Sequence, residues 1–564
     1  MAHSSLFARL RRLAAMSGHR RGLDTSKQLS TDWAAGLLSR RHFGATTAAL
    51  TLGDLLRTPD RPRGGDRVVI VGAGIAGICC AYRLAQAGIK AVVHEARARI
   101  GGRTYSTSEG APPGMVLELG GELIDSNHLN LWALAEELGL TLDDRRELAP
   151  AGEVFWIDGA AVDEATILAQ WMAVAPAMAA MVEAANNDDD VFDFYDNQSL
   201  REWLDEHVPI DRYRELHLIL DVAYRGEFGL ENDQQSALNL LYLLDPHTLD
   251  ELSLYGESDE RYHTHGGNEQ FVRRMAETLD DDQLVLESRL LAARDGAAGG
   301  YVLSFRGPEG EAEVEADHVV FALPFSVLRE VELGGLSLSA QKRKIIAELG
   351  YGTNTKIIGS FHEPSWRAEH GASGSITGDL SFQQCWDSSI GQLGSAGIIT
   401  SFLGGRAGLE SGQGSAEDWY RTHLVAVLEQ VFPGVQAGYV GGSAVRMHWP
   451  SVPTHRGSYT CYRPGQWAFW SREGVREGNL HFCGEHCSPE FQGWMEGAAE
   501  TGGLVAMEII DDLGARASDA HAALTALLTE HAPHPCYHGD LHPPLRWGTR
   551  RRGLGGRIAR RLPA

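Results

Sequence analysis

The chain has 564 residues, 43% hydrophobic and 22% charged, an ordinary globular balance in a chain long enough for two or three domains. Its formal net charge of −25 argues against a nucleic-acid partner, because nucleic acid is itself strongly negative. The seven cysteines show no dense spacing that would indicate a disulfide framework. No run of about eighteen apolar residues predicts a membrane span.

Residues 1–65 are predicted to be an N-terminal extension that ends in a short linker. The paired arginines Arg40 and Arg41, with Phe43 two places later and a mildly apolar stretch after it, resemble a twin-arginine export signal. Asp54 interrupts that stretch, and no clean cleavage site follows. Two expectations therefore stay open, export to the periplasm or medium and a cytoplasmic protein with an N-terminal arm.

The organising stretch of the sequence begins at Val68. Val68–Val71 is a short apolar run, typical of a buried parallel strand, and Gly72–Gly77 has the spacing G-x-G-x-x-G. A predicted helix, Ile78–Ala87, and a second predicted strand, Ile89–His94, follow, and then comes Glu95. Strand, glycines, helix, strand and acid in this order predict a dinucleotide-binding α/β unit.

Each part of this unit has a physical reason. Gly72 allows a tight turn, Gly74 lets the main chain approach a pyrophosphate, and Gly77 lets helix and strand pack closely. Glu95 stands where an acid holds the ribose hydroxyls, and the free N–H groups at the helix start favour phosphate.

Beyond this unit the sequence resembles a known family. The strings HEARARIGGRT (residues 94–104) and ELGGELI (118–124), and later NLHFCGE (479–485) and EFQGWMEGAAETG (490–502), are similar to the flavin-containing amine oxidases. That family includes monoamine, polyamine and L-amino-acid oxidases. The resemblance spans roughly residues 66–510 and implies FAD, not NAD, as the cofactor.

The resemblance also implies the architecture. We expect an α/β fold in which a Rossmann-like, glutathione-reductase-like FAD-binding domain is combined with a discontinuous α+β substrate domain. Residues 66–125, 261–330 and 471–513 are predicted to form the FAD-binding domain. Residues 126–260 and 331–470 are predicted to form the substrate domain, and 514–564 a C-terminal extension with a basic end.

The same resemblance implies a set of cofactor contacts. The predicted FAD-binding residues are Gly72, Gly74, Ala76, Gly77, Glu95, Ala96, Arg97, Gly102, Arg103, Gly120, Gly121, Glu122, Leu123, Leu290, Trp449, Gly484, Glu485, Gly493, Trp494 and Met495. In mammalian monoamine oxidases a cysteine carries a covalently attached flavin. The matching residue here is Ser458, which cannot form that thioether, so we expect non-covalent FAD.

Three residues are the predicted catalytic set. Lys356 matches the family lysine that holds a water against the flavin N5 and assists the reaction with oxygen. A positive charge is favourable where negative charge develops on oxygen. Tyr459 and Trp494 match the two walls of the aromatic cage of the family.

The implied reaction is oxidation of a C–N bond to an imine with reduction of O2 to H2O2. The stretch GEHCSPEFQGWMEGAAETG (residues 484–502) resembles bacterial L-amino-acid oxidases, which favours an L-amino acid slightly over a simple amine. The turn Gly120–Leu123, however, lacks the arginine that binds the substrate carboxylate in venom enzymes, and Arg225 is a guess for a replacement.

Several alternatives stay open at this point. They are a simple amine or polyamine oxidase, a decarboxylating amino-acid monooxygenase, a C–C desaturase of the phytoene desaturase or protoporphyrinogen oxidase type, and a non-catalytic FAD-binding protein. Whether the chain forms a homodimer also stays open. No metal site is expected, because Cys483 and Cys487 lack two further ligands nearby, and because His263 and His265 are typical of polar surface.

Overall fold

The computed structural model describes residues 66–148, 152–248 and 252–515 together with Leu524. The twin-arginine motif around Arg40 and the basic C-terminal end therefore lie outside the described residues. Within them the chain has a mixed α/β fold.

A five-stranded parallel sheet begins at the first predicted strand. Its strands, in spatial order, are Leu480–Phe482, His318–Phe321, Val68–Val71, Ala91–His94 and Leu284–Val285. All four pairings are parallel, and all four residues of Val68–Val71 are buried. A parallel strand that is covered on both faces needs apolar residues at successive positions, which explains the VVIV sequence.

Two helices pack tightly against each other beside this sheet. The first is Ile75–Gln86, which starts directly after the glycine-rich turn, and the second is Met495–Asp512, near the end of the described chain. A Cβ atom added at Gly502 would lie 2.3 Å from the carbonyl oxygen of Ala76. Glycine at this position therefore permits the close approach of the two helices.

The other strands form four further sheets. A seven-stranded mixed sheet has the spatial order Val445–His448, Thr355–Phe361, Gly397–Leu403, Gln384–Asp387, Ile376–Gly378, Val154–Ile157 and Ala160–Ala161. A four-stranded sheet has the order Gly310–Ala316, Tyr301–Gly307, Arg289–Asp295 and Glu332–Gly335. Two short ladders pair Ser106–Thr107 with Leu117–Glu118 and Leu142–Asp144 with Tyr262–Thr264.

The described residues also contain fourteen further α-helices. They are Leu129–Leu138, Arg145–Leu148, Glu164–Asn187, Asp189–Asn197, Leu200–His207, Arg214–Phe228, Ala237–Leu243, Glu269–Ala276, Phe325–Leu328, Ala340–Glu348, Ser365–Ala368, Gly405–Glu410, Ala416–Tyr420 and Ala426–Val431. The parallel sheet lies within the segments predicted for the FAD-binding domain, and the seven-stranded sheet draws its strands from the segments predicted for the substrate domain. The domain boundaries stay a prediction.

Two local expectations differ from the structure. The Asn/Asp run at residues 186–190 resembles a solvated loop in sequence, yet a single residue, Asp188, separates two helices there. The side chain of Asp188 accepts hydrogen bonds from the next turn and starts the second helix. His263, expected on the surface, is buried, with its Nε2 atom 2.9 Å from Glu118.

Among the described residues, the helix Glu164–Asn187 is long and apolar enough to cross a membrane by length and composition. No such segment is expected from the sequence. One third of the apolar window of this helix is buried in the fold. Helices in protein cores pass the same test, so the finding is weak evidence for a span.

Candidate active site

A cavity of about 450 Å³ opens at the carboxyl ends of the parallel strands. Val71 and Ala322, at the ends of two neighbouring strands, line it, and so does Gly484 after a third. In open parallel sheets, ligands bind in the crevice at this edge. The cavity extends from there to the seven-stranded sheet, where Lys356 and Phe402 line it.

One wall of the cavity is built from main chain. Gly72 has φ +105°, and a Cβ there would lie 2.7 Å from the carbonyl oxygen of Ala322. A Cβ at Gly77 would lie 2.0 Å from the oxygen of Gly72, whereas a Cβ at Gly74 would meet nothing within 4 Å. The helix that starts at Ile75 has no side-chain cap, so its first N–H groups are available to an anionic ligand.

Glu95 is fixed by main-chain donors beside these glycines. Its carboxylate accepts hydrogen bonds of 2.9 Å from the N–H groups of Ala73 and Arg97. Burial raises the pKa of Glu95, although the two N–H donors oppose the shift. The carboxylate is therefore held at one end of the cavity, where it can accept hydrogen bonds from a ligand.

Arg103 and Glu485 form a second fixed pair. Arg103 donates to the carbonyl oxygen of Ser458 at 2.6 Å and to Glu485 at 2.8 Å. Glu485 also accepts a hydrogen bond of 3.0 Å from the N–H of Gly493. Burial by itself would raise the pKa of Glu485, but the Arg103 guanidinium outweighs it and the pKa is lowered. This pair links three distant segments around the cavity.

The far wall of the cavity contains a buried ion pair. The Lys356 ammonium lies 2.7 Å from the Glu122 carboxylate and 3.2 Å from the carbonyl oxygen of Glu118. The indole N–H of Trp386 donates to the other oxygen of Glu122 at 2.9 Å. Burial favours the neutral form of Glu122, but Lys356 overcomes it and lowers the pKa from 4.5 to about 2.

The aromatic rings of Tyr459, Trp494 and Trp449 also line the cavity. The Tyr459 hydroxyl donates to the carbonyl oxygen of Glu227 at 2.5 Å. Trp494 is buried, and its indole N–H has no hydrogen-bond partner in the described part of the chain. Trp449 is anchored by an N–H bond of 3.2 Å to the carbonyl oxygen of Leu119.

The structure brings together nearly all of the residues that the sequence singled out. Lys356, Tyr459 and all but two of the predicted FAD-binding residues line the cavity. The exceptions are Gly77, which packs under the turn at Gly72, and Arg97, which has a buried guanidinium nitrogen without a described partner. Ser458 lines the cavity, and its hydroxyl donates to Asn354 at 2.5 Å.

The guess that Arg225 binds a substrate carboxylate is wrong in this structure. Its guanidinium donates to Asp221 one turn away at 2.7 Å, and Arg225 is not among the residues that line the cavity. Four further residues line the cavity that the sequence did not single out as site residues: Asn354, Trp386, Phe402 and His455. Asn354 could have been predicted as a site residue because it lies two residues before Lys356. The other three reach the cavity only through strand pairing and loop packing between segments that are distant in the sequence.

The residues present fit a flavin dinucleotide. The cavity has main-chain donors at one end, a space above Gly74 that a Cβ would occupy, and the buried indole N–H of Trp494, which has no described partner. Buried polar groups without partners are rare in native proteins, and a bound ligand with acceptor oxygens and nitrogens would satisfy this N–H.

The comparison with known proteins agrees with this site. The sequence profile of the family described as flavin containing amine oxidoreductase matches residues 75–510. The chain therefore belongs to the flavin-containing amine oxidoreductases, and it is an enzyme of the oxidoreductase class with a flavin cofactor.

Individual relatives are distant but cover most of the chain. An L-amino acid dehydrogenase from Synechocystis is 24% identical over 478 residues, 78% of this chain and 94% of the relative. A pseudooxynicotine dehydrogenase from Pseudomonas is 22% identical, over 86% of this chain and 98% of the relative. The structure of a cyclohexylamine oxidase from Brevibacterium oxydans superposes with a TM-score of 0.69 at 21% identity, covering 80% of this chain and 99% of that one.

Proposed function

We propose that this enzyme is an FAD-dependent oxidase of L-amino acids or primary amines, with the FAD bound non-covalently. The C–H and N–H hydrogens of the amine leave with two electrons to give an imine, and O2 takes up both hydrogens as H2O2. Water then hydrolyses the imine to a keto acid or aldehyde and ammonia. The observation that carries the proposal is the convergence of Lys356, Tyr459 and Trp494 on one cavity with the glycine-rich turn.

Several residues would hold the cofactor. Glu95 offers a carboxylate for ribose hydroxyls, the N–H groups after Gly74 offer donors for the diphosphate, and the Arg103–Glu485 pair stands further along the same cavity. When bound, the flavin supplies the two-electron redox chemistry that amino-acid side chains lack. Ser458 in place of a cysteine supports non-covalent attachment.

The protein's own groups would orient the amine and control its protonation. Burial raises the pKa of the Tyr459 phenol, so this ring stays uncharged. Tyr459 and Trp494 present apolar faces, and desolvation between them favours a neutral amine, the form whose lone pair is available for oxidation. The cation–π attraction of an ammonium opposes this effect.

The substrate class stays as two alternatives. The arginines among the described lining residues are Arg103, Arg289 and Arg306. Arg103 already donates to Glu485 and to the carbonyl oxygen of Ser458. Arg289 follows Ser288, whose hydroxyl contacts His94 at the end of a parallel strand, so Arg289 lies at the parallel-sheet end of the cavity. A substrate carboxylate would therefore need donors other than Arg103, which keeps simple amines beside L-amino acids.

The decisive experiment is a peroxide assay against the twenty L-amino acids and a panel of primary amines. We expect one group of substrates to yield H2O2 and ammonia in equal amounts. Release of all the flavin into the supernatant after acid precipitation would support non-covalent binding. If the purified protein contains flavin but oxidises no amine in the panel, the proposal is contradicted and the desaturase or non-catalytic alternative is favoured. Loss of CO2 with an amide product would favour the monooxygenase.

A dehydrogenase is a second candidate, and the Lys356–Glu122 pair favours it. An ammonium neutralised by a carboxylate 2.7 Å away offers less stabilisation to the negative charge that develops on oxygen. If O2 is the acceptor, Glu122→Gln should increase turnover with O2 relative to turnover with a quinone dye. Trp386→Phe, which removes an N–H bond to Glu122 but no charge, is the matched control. A wild-type enzyme that the dye reoxidises and O2 does not would be a dehydrogenase.

A further inference from the structure

A cluster of possible metal ligands lies at the opposite edge of the parallel sheet. His318 begins one strand, His481 lies in the neighbouring strand, and Asp512 ends the helix Met495–Asp512. One ligand atom from each of the three lies within 4.8 Å of the other two. His318 and His481 are 4% and 0% exposed, so the two imidazoles meet inside the protein. No part of the proposed oxidation uses these residues.

The geometry of the two imidazoles suits a metal ion. Nδ1 of His318 and Nε2 of His481 are 3.3 Å apart. Two nitrogens bound at about 2.0–2.1 Å to a tetrahedral Zn²⁺ are separated by roughly 3.3 Å. A hydrogen bond between the two rings would give a similar distance, so the separation alone does not decide between them.

The surroundings of His481 favour the metal. Its Nδ1 lies 2.8 Å from the Glu508 carboxylate. That contact keeps the proton on Nδ1 and leaves the lone pair of Nε2 directed at the cluster, which is the carboxylate–histidine arrangement that orients metal ligands. Glu508 and Asp512 lie on the same helix, one turn apart, so a single element supplies both the orienting carboxylate and the third ligand.

The carboxylate of Asp512 is also paired with Arg476 through both oxygens: Oδ2 accepts from Nη1, and Oδ1 accepts from Nη2 at 3.3 Å. A carboxylate has two oxygens and about four acceptor positions, so it can accept from a guanidinium and still bind a cation. The Asp512 side chain is 29% exposed, which gives an ion and a coordinating water a route from solvent.

We propose that His318, His481 and Asp512 bind one divalent transition-metal ion of the zinc class, with water as the fourth ligand. The ion would be structural. It would join two strands of the parallel sheet to the end of the helix Met495–Asp512, while the start of that helix lines the active-site cavity. His318 and Ala322, which lines the cavity, are four strand residues apart, about 13 Å, so a direct role in oxidation is excluded.

The test is Co²⁺ and Zn²⁺ binding to the untagged, flavin-loaded, full-length protein after dialysis against a chelator. We expect one Co²⁺ per chain with visible d–d absorption, displacement by Zn²⁺, and a higher Tm in the presence of Zn²⁺. Asp512→Asn and His318→Gln should each weaken Co²⁺ binding by at least about tenfold. Asp511→Asn, which changes a carboxylate outside the cluster on the same helix end, should bind as the wild type does.

Flavin absorbance confirms that each variant is folded, and the partly exposed Asp512 keeps the test available if His318→Gln does not fold. Absence of stoichiometric Co²⁺ binding in the wild type would overturn the proposal. Equal affinities in Asp512→Asn, His318→Gln and Asp511→Asn would overturn it too. In either case the His318–His481 contact would be a hydrogen bond between neighbouring strands.

Discussion

The cavity has two walls of different construction. The main-chain wall consists of Gly72, Gly74 and the start of the adjoining helix, with Gly77 packed beneath it, and it is shaped by the absence of side chains. The side-chain wall consists of Glu122, Lys356, Trp386 and Tyr459, which come from separate segments, and it is shaped by pairing of charges and hydrogen bonds. The first wall is sensitive to volume, and the second to the removal of one partner of a pair.

Adding a single methyl group at Gly77 should disrupt the main-chain wall. In Gly77→Ala the new Cβ would lie 2.0 Å from the carbonyl oxygen of Gly72, and main chain on both sides cannot yield easily. We expect a destabilisation on the order of 5 kcal/mol, the upper end for single substitutions. Thermal unfolding and the yield of yellow, soluble protein measure it. A variant with wild-type Tm and flavin content would contradict the close packing described here.

Removing the charge of Lys356 should destabilise the side-chain wall. Lys356→Met leaves the Glu122 carboxylate buried without its cation, which costs about 3–5 kcal/mol. The double variant Lys356→Met/Glu122→Gln should recover most of that loss, because no uncompensated charge remains. Chemical denaturation of all four proteins in the cycle checks this. If the two single effects simply add in the double variant, the ion pair contributes no coupling.

The two walls also differ in how far the sequence predicts them. The glycine spacing is local, and so is the helical spacing of the buried residues in the helix Leu129–Leu138. Glu122 and Lys356 are 234 residues apart, and no local pattern contains their contact. Their own positions were nevertheless found through the family resemblance, so what the sequence could not supply was the pairing between them.

Strand periodicity fails at Lys356 for a physical reason. All seven residues of Thr355–Phe361 are buried, because the two faces of this strand pack into different apolar clusters: Ile357 belongs to one cluster and Ile358 to another. A strand covered on both faces loses its alternation. Trp386 and Phe402 could not be predicted from the sequence, because they reach the cavity only through the pairing of the strands that contain them.

Acid should weaken the side-chain wall in a predictable window. The pKa of Glu122 is lowered from 4.5 to about 2, so its ionised form contributes stability above pH 4.5 that is lost as the pH falls toward 2. The shift is worth roughly 3 kcal/mol, of which about 2 kcal/mol should be lost between about pH 6 and pH 3. Glu122→Gln lacks this contribution, so the stability difference between wild type and variant should shrink over that range. A constant difference in urea unfolding would contradict the lowered pKa.

Gly74→Ala should separate cofactor binding from folding within the main-chain wall. Apart from Gly74 and its chain neighbours, none of the described residues has an atom within 4 Å of a Cβ at Gly74, and its φ of −70° suits alanine. The apoprotein should therefore keep its Tm. A diphosphate placed against Gly74 would meet the new methyl, and overpacking of about 1–3 kcal/mol lowers flavin affinity about ten- to hundredfold. Unchanged flavin affinity would mean that the diphosphate does not lie against Gly74.

The smallest effect is expected from the hydroxyl of Tyr459. Tyr459→Phe removes the 2.5 Å hydrogen bond to the carbonyl oxygen of Glu227 and keeps the ring. We expect a loss of about 1 kcal/mol in stability, with little change in KM. Tyr459→Ala also removes the aromatic face and should raise KM strongly. Tyr462→Phe, which loses a 2.5 Å bond to Glu473 outside the cavity lining, controls for the loss of a buried hydroxyl. If Tyr459→Phe raised KM as much as Tyr459→Ala, the hydroxyl and not the ring face would position the amine, and the side-chain wall would act through hydrogen bonding at this residue as well.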